Sequence, residues 1–534
     1  MSSSSDGFDP IALEVCWNRL ISIASEQAAA MVNSSFSAVL GDMEDLSAGV
    51  FDADATMIAQ SVQGAPGHLG SLSAGVKNFI KIFPPETLAP GDVLITNDPW
   101  LVSGHKHDIT VVTPVFFDSR LVGFTASNCH TVDIGGRIFS AAASEVYEEG
   151  LQIPRLKLFE RGRANDMLLQ IIKENVRSPD LVIGDLMAQV SANDIASERI
   201  ISLMEEQGLS DLRTLSHAIT GRTEQLMRKA IAALPDGTYR DRVVLDGHGD
   251  LLAIAVAIEI FGDRAVIDFG GSSPQVAKGI NSVLNFTTAF SQYAMKCLLA
   301  PKSPNNDGSF APIEVRAPEA SIINARFPAP VGGRHLVGLY VPFAIFGALS
   351  PVLPKQVIAD SSVLSAITIS GQTDAERPYV FTFFSSGGMG ARAEKNGLDA
   401  TAFPSNVASV PVEIMEQAIP VLVNCRELID GSAGDGQYRG GAGQRVSLQL
   451  RSKAPATVSC MVERTKAAPR GFLGGRPGSP ARLLVDGKPI DFSQPFRLLP
   501  EQVLTLETPG GGGYGPPSQH HQTIQRQMAE APSN

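Results

Sequence analysis

From Asp430 onward, glycine interrupts the chain every few residues. Gly431–Gly443 reads GSAGDGQYRGGAG, Gly474–Gly478 reads GGRPG and Thr508–Gly515 reads TPGGGGYG. Helices do not run through such segments, because each glycine costs a helix about 1 kcal/mol relative to alanine. Between them lie short β-prone runs: Val446–Arg451, Ala456–Val462, Ala481–Val485 and Val503–Leu506. This part is expected to form a small all-β unit packed on the rest. The whole chain carries 50 Gly and 35 Pro, which favours many turns over a helical bundle. It is 44% hydrophobic over 534 residues, enough for large cores and, at ~150 residues per domain, for several domain-sized units.

The remainder of the chain alternates. Asp9–Val32 reads as a helix, with Pro10 in the first turn. Asp45–Gln60 reads as strand, turn, strand; Leu69–Phe83 as a helix; Val93–Thr96 as a strand. Residues 160–235 repeat apolar residues at i, i+3/i+4 and form a helical block. Gly237–Leu245, Leu251–Phe261 and Arg264–Phe269 are β-like, while Ala289–Leu299 and Leu336–Leu353 read as buried helices. The expectation is an α+β fold. It has an N-terminal α/β domain with a helical block (1–235), a central mixed domain (236–430), the glycine-rich β unit (431–515) and a polar tail (516–534) containing His520–His521.

Composition excludes several roles. A formal net charge of −12, with no basic run, argues against nucleic acid as a ligand. The longest apolar stretch, Leu251–Phe261, is far short of the ~20 residues that span a bilayer. Met1–Pro10 lacks the basic head and apolar body of a secretion signal, so a cytoplasmic location is expected. Five widely spaced cysteines make neither a zinc ribbon nor a disulfide framework. GxxxxGK[ST] and GxSxG are absent. The glycine loops are then anion cradles or, on the simpler reading, tight turns.

Chemistry concentrates between residues 98 and 133. His105, His107 and His130 lie among Asp98, Asp108 and Asp133, a mixture of imidazole and carboxylate that suits a divalent cation such as Zn, Mn, Fe or Co. Ile109–Phe117 and Leu121–Asn128 form a hairpin over Asp118-Ser119-Arg120. A turn centred between Asp118 and Ser119 opposes His107 to His130; one centred on Ser119 opposes Asp108 to His130. A one-residue slip flips the face, so pairing leaves both partners open.

These residues sit in motifs. Ile95-Thr-Asn-Asp-Pro-Trp100, Gly104-His-Lys-His-Asp108 and Cys129-His-Thr-Val-Asp-Ile-Gly-Gly136 resemble the hydantoinase B/oxoprolinase family. So do Asp45-Leu-Ser-Ala-Gly-Val-Phe-Asp52, Glu149-Gly-Leu-Gln-Ile-Pro154, Asn175-Val-Arg177, Asp268-Phe-Gly-Gly-Ser-Ser-Pro-Gln275, Tyr438-Arg-Gly-Gly441 and Pro509–Gly515. The likeness extends from about Phe8 to Pro517.

The resemblance implies a B-type component of an ATP-dependent hydantoinase, 5-oxoprolinase or lactamase. An A-type chain uses ATP to phosphorylate a cyclic amide, and the B-type chain opens the ring at one divalent metal. It implies a heterotetramer of two A-type and two B-type chains. A component of a ketone carboxylase and a non-catalytic scaffold for the A-type chain are the alternatives. Carried over by motif, the metal ligands are Asp45, His105, Asp108 and His130. His107, where relatives carry no ligand, would compete for the ion or act as a base behind it, and Asp133 would orient His130. Asn97, Asp98 and Arg137 would position substrate.

Overall fold

A computed structural model describes residues 9–517; His520–His521 and the rest of the tail beyond Pro517 lie outside the described residues. The first helix, Pro10–Asn33, starts where Asp9 accepts hydrogen bonds from the amides of Ile11 and Ala12, at 3.1 Å each. A cap of this kind contributes about 1 kcal/mol. Its buried face carries Leu13, Trp17, Leu20 and Ile23.

The N-terminal part is organised by a seven-stranded antiparallel sheet. Its strands are β1 (Leu46–Asp52), β2 (Met57–Gln60), β3 (Val93–Thr96), β4 (Asp108–Phe117), β5 (Arg120–His130), β6 (Leu156–Glu160) and β7 (Arg163–Ala164), in the order β2-β1-β5-β4-β3-β6-β7. Both faces are covered. Val50, Ile58, Val115 and Val122 pack with the first helix and with helices Pro179–Gln207 and Arg213–Ala232. Phe51, Leu94, Val112 and Phe124 pack with Leu72, Val76 and Phe79 of helix Pro66–Ile80. The covering helices also bond to the sheet itself. Gln27 donates to the Ala126 carbonyl at 3.2 Å, Gln189 to Ile109 at 3.0 Å and Asn193 to Val111 at 3.2 Å.

The hairpin β4–β5 resolves the register question in an unexpected way: both registers occur. Asp118 and Ser119 adopt φ of 48° and 63°, the left-handed pair of a two-residue turn. Phe117 pairs with Arg120 and Phe116 with Leu121, the register that would oppose His107 to His130. A bulge then leaves Val122 unopposed, Val115 pairs with Gly123, and from there to the far end the register has moved by one. Asp108 faces His130 as a result.

Downstream, Gly237–Leu245, Leu252–Phe261, Arg264–Asp268 and Ile313–Arg316 form a four-stranded sheet whose last pair is parallel. The strands after Asp430 divide between two sheets. Gln444–Leu450, Val503–Glu507, Arg482–Val485 and Lys488–Pro489 join Val421–Leu428. Ala456–Met461 and Phe496–Leu498 instead pair into a sheet with Ser365–Gln372 and Pro378–Ser385. The largest hydrophobic cluster runs from Val39 to Tyr514. Helices and mostly antiparallel sheets together make the α+β fold that the sequence indicates.

The glycine loops are more than tight turns: most of their glycines pack backbone on backbone. Gly441 N donates to Met389 O at 2.8 Å, Gly511 N to Gly441 O at 2.9 Å and Gly434 N to Gly511 O at 2.8 Å. Extended backbones lie against one another with their amides used by neighbouring carbonyls. A Cβ on Gly441 would stand 1.8 Å from Leu398 O, and one on Gly511 2.1 Å from Met389 O. At these positions glycine is required because a neighbouring backbone occupies the space of a side chain, while Gly431 and Gly474, at φ of 72° and 95°, are turn glycines.

Candidate metal centre

One end of the seven-stranded sheet gathers side chains from five places in the sequence. Asp108 starts β4 and His130 ends β5; Asp45 immediately precedes β1, and its carbonyl accepts His130 N at 3.0 Å. His105 lies in the turn before β4. His68 stands in the first turn of helix Pro66–Ile80, and Arg334 and His335 come from the segment around the start of a short helix, His335–Gly338.

Asp108, fully buried, is the hub. Its Oδ1 is 2.6 Å from His105 Nε2 and 3.0 Å from His130 Nδ1; its Oδ2 is 2.9 Å from His68 Nε2 and 2.5 Å from Arg334 Nη2. Burial alone would raise this carboxyl's pKa, but the Arg334 charge and the facing imidazoles hold it well below the usual carboxylate range. Arg334 also bonds to Ser103 O and stacks 4.0 Å over the Phe286 ring.

The imidazoles are the telling part. His105 Nδ1 lies 2.8 Å from Gly332 O, a contact that needs the proton on Nδ1. In the neutral ring Nε2 is then a bare lone pair, and it points at a carboxylate oxygen 2.6 Å away and at His130 Nδ1 3.2 Å away. Burial and the Arg334 charge depress His105 to about 3, so an additional proton does not bridge the gap at neutral pH. The facing acceptors, His105 Nε2 and Asp108 Oδ1, repel unless a cation lies between them. The ligand atoms of His105, Asp108 and His130 lie within 4.8 Å of one another, and the set of two imidazoles and a carboxylate suits Zn, Mn or Fe. Asp45 is next to this set, 3.7 Å from His68 Nδ1, and lines the same cavity. The residues present fit a divalent metal.

That cavity, about 40 Å³, is bordered on its polar side by Asp45, His68, His105, His130, Arg334 and His335, and on the other by Phe286, Phe290, Leu339, Leu364 and Phe384. A water needs ~10–15 Å³, so the space admits a few small species and no ring. His335 is buried with no partner for Nε2. Burial holds it well below the ordinary imidazole pKa, hence neutral.

Other expected residues take different places. His107 stacks on His130, ring centres 5.4 Å apart and nearly parallel, with Nδ1 unpartnered; burial keeps it neutral. Asp133 accepts Arg177 Nη1 at 2.7 Å, the Arg177 amide, and Gly135 N at 3.3 Å. Asn97 is fully used by backbone, donating to Lys106 O and Leu151 O and accepting from Ile153 N. Asp98 accepts Trp100 N at 3.1 Å, and Arg137 pairs with Glu148 at the surface. None of these three is among the residues lining the cavity.

Sequence spacing finds His105, Asp108 and His130 together but passes over His68, Arg334 and His335. His68 stands alone, and Arg334 and His335 as an adjacent pair, among mostly glycine and apolar neighbours, remote in sequence from the cluster. Scarcity is the one signal available: of the nine histidines in the chain, five meet here.

Comparison with known proteins finds likeness along the whole described chain. The family model described as hydantoinase B/oxoprolinase matches residues 9–517. A protein from Pseudomonas sp. (strain NS671), named as the B-type component of a D-/L-hydantoinase, is 31% identical over 537 residues, covering 95% of this chain and 90% of the relative. The crystal structure of an ATP-dependent caprolactamase from Pseudomonas jessenii superposes with a TM-score of 0.88 at 27% identity, over 98% of this chain and 94% of that one. An acetone carboxylase, solved without nucleotide, shares the fold with a TM-score of 0.86 at 18% identity, over 95% of this chain and 76% of that one. The chain belongs to the hydantoinase B/oxoprolinase family.

Proposed function

We propose that this chain is the B-type component of an ATP-dependent cyclic amide hydrolase, opening a hydantoin, 5-oxoproline or lactam ring after an A-type chain has phosphorylated it. The observation that carries the reading is the convergence of bare imidazole nitrogen and carboxylate oxygen on one point at the cavity wall. His105, Asp108 and His130, with Asp45, would hold one divalent metal. Such an ion polarises a carbonyl and makes water a stronger nucleophile at neutral pH.

The chain's own residues prepare the rest. Arg334 keeps Asp108 ionised, and the neutral rings of His105 and His107 leave their lone pairs free. The phenylalanine and leucine wall excludes bulk water, which protects a phosphorylated intermediate from loss. His335 Nε2 offers a hydrogen-bonding position to whatever enters. Entry of a ring requires the wall to open, because the cavity holds a few waters only. Greater identity to, and fuller coverage of, the caprolactamase than the acetone carboxylase supports hydrolysis over carboxylation. The naming of the hydantoinase relative as one component of a larger enzyme supports an A-type partner. We place the assembly in the cytoplasm, as two A-type and two B-type chains.

Metal content decides the central point. The purified chain should carry one divalent ion, and His130→Ala and Asp108→Asn should lose it. If both variants keep a full complement, the site is elsewhere. The isolated chain should not open an unactivated lactam or hydantoin, and robust ATP-independent ring opening would contradict the division of labour. Light scattering after co-expression with an A-type chain should show a larger assembly than the chain alone.

A further inference from the structure

We infer that Glu149 is a positioning residue of the metal centre, acting through Gly332 on His105 and through the same segment on Asp108. The inference rests on the metal reading above and adds a residue that touches none of the ligands.

Glu149 ends the 3-10 turn Val146–Glu149 and is 4% exposed. Its Oε1 accepts Gly332 N at 2.7 Å. The Gly332 carbonyl in turn accepts His105 Nδ1 at 2.8 Å. The two bonds hold the two peptide groups that flank the Gly332 Cα and so fix where its carbonyl points. The chain carboxyl–Gly332–imidazole therefore keeps the His105 proton on Nδ1 and leaves Nε2 bare for a cation. Anchoring of a ligand imidazole by its other nitrogen is what sets tautomer and ring direction at metal sites.

The second effect travels along the backbone. Two residues after Gly332, Arg334 reaches Asp108 Oδ2 at 2.5 Å. Holding Gly332 in place thus also holds the guanidinium that keeps Asp108 ionised. The seat for the carboxyl is closely cut: a Cβ on Gly332 would come within 3.1 Å of Glu149 Oε1, and one on Gly279 within 3.2 Å. Lys106 lies alongside with its ammonium on Gly150 O at 2.8 Å. Glu149 Oε2 has no partner, and burial pushes the carboxyl's pKa up to about 8. An apolar side chain would be easier to bury there, so the acid is retained against its own solvation cost.

The test compares zinc affinity, by competition with a chromophoric chelator, for the wild-type chain, Glu149→Gln and Glu149→Leu. Glutamine keeps an oxygen for Gly332 N and should stay within about threefold of wild type. Leucine removes the acceptor and should weaken zinc about 10–100-fold, the usual effect of losing a group that orients a ligand, with circular dichroism unchanged. Should the leucine variant fail to fold, Gly332→Ala crowds Oε1 with every ligand intact, and should weaken zinc about tenfold. Wild-type affinity in Glu149→Leu, or in Gly332→Ala if leucine does not fold, overturns the inference. A wild-type chain that binds no zinc, or a His130→Ala chain that still binds it, overturns the metal reading instead.

Discussion

Around the cavity, side chains from five separate segments assemble the structure; in the glycine-packed region, backbone assembles against backbone. The first region concentrates charge and imidazole on one buried carboxylate, Asp108. The second excludes side chains so that extended segments such as 387–391, 434–443 and 509–515 can exchange amide hydrogen bonds directly. The difference shows in how each region fails. Removing an atom damages the first, and adding one damages the second.

The largest expected effect is in the glycine region. Gly441→Val places a branched side chain where Leu398 O already lies 1.8 Å from the Cβ position. No rotamer change relieves a clash with backbone, so the loss should exceed about 5 kcal/mol. The measurement is soluble yield and thermal unfolding; a folded variant with wild-type melting behaviour would break the comparison. Next comes Arg334→Leu at the cavity. It leaves Asp108 buried without its cation, a loss of about 3–5 kcal/mol by analogy with broken buried pairs. Saturating zinc should restore part of that loss, and a melting temperature equally depressed with and without zinc would separate Arg334 from the metal.

A third test asks whether charge matters in the C-terminal region at all. Glu463 is fully buried, bonded by the Asp246 amide at 2.8 Å and Tyr340 Oη at 3.1 Å, and burial raises its pKa to about 8. The folded form holds the proton longer than the unfolded chain does. The stabilisation is therefore complete below about pH 4.5 and declines as pH rises towards 8, by up to ~1.4 kcal/mol per pH unit. Glu463→Gln should flatten that part of the stability profile; an unchanged slope between about pH 5 and 8 would show that other groups set it. The smallest effect is a gain. Gly221 sits within helix Arg213–Ala232 with open space at its Cβ position. Gly221→Ala should stabilise by about 0.5–1 kcal/mol in denaturant unfolding, marking a glycine outside the packed set.

Legibility follows the same division. Strands with clear turn punctuation, such as Val93–Thr96 and Gly237–Leu245, stand in the sequence at the limits the structure gives them. The paired strands Ser365–Gln372 and Pro378–Ser385 escape a sequence reading, because they are buried along most of their length, polar residues included. His105, Asp108 and His130 are visible because a hairpin brings sequence neighbours together. Arg334 and His335 are not, since tertiary packing alone delivers them. The glycine runs are plain to see but their purpose is not: a missing side chain does not say which backbone fills its place.

The unopposed Val122 gives the hairpin a parity. Because the two registers on either side of it differ by one residue, the tip can lengthen or shorten on both strands together without disturbing the far end. Pairing Val122 directly, with no residue lost, would carry the tip register through and bring His107, not Asp108, across from His130. The identity of the residue at the hub is thus set at the remote tip of the hairpin, by whether one valine with no chemistry of its own takes a partner.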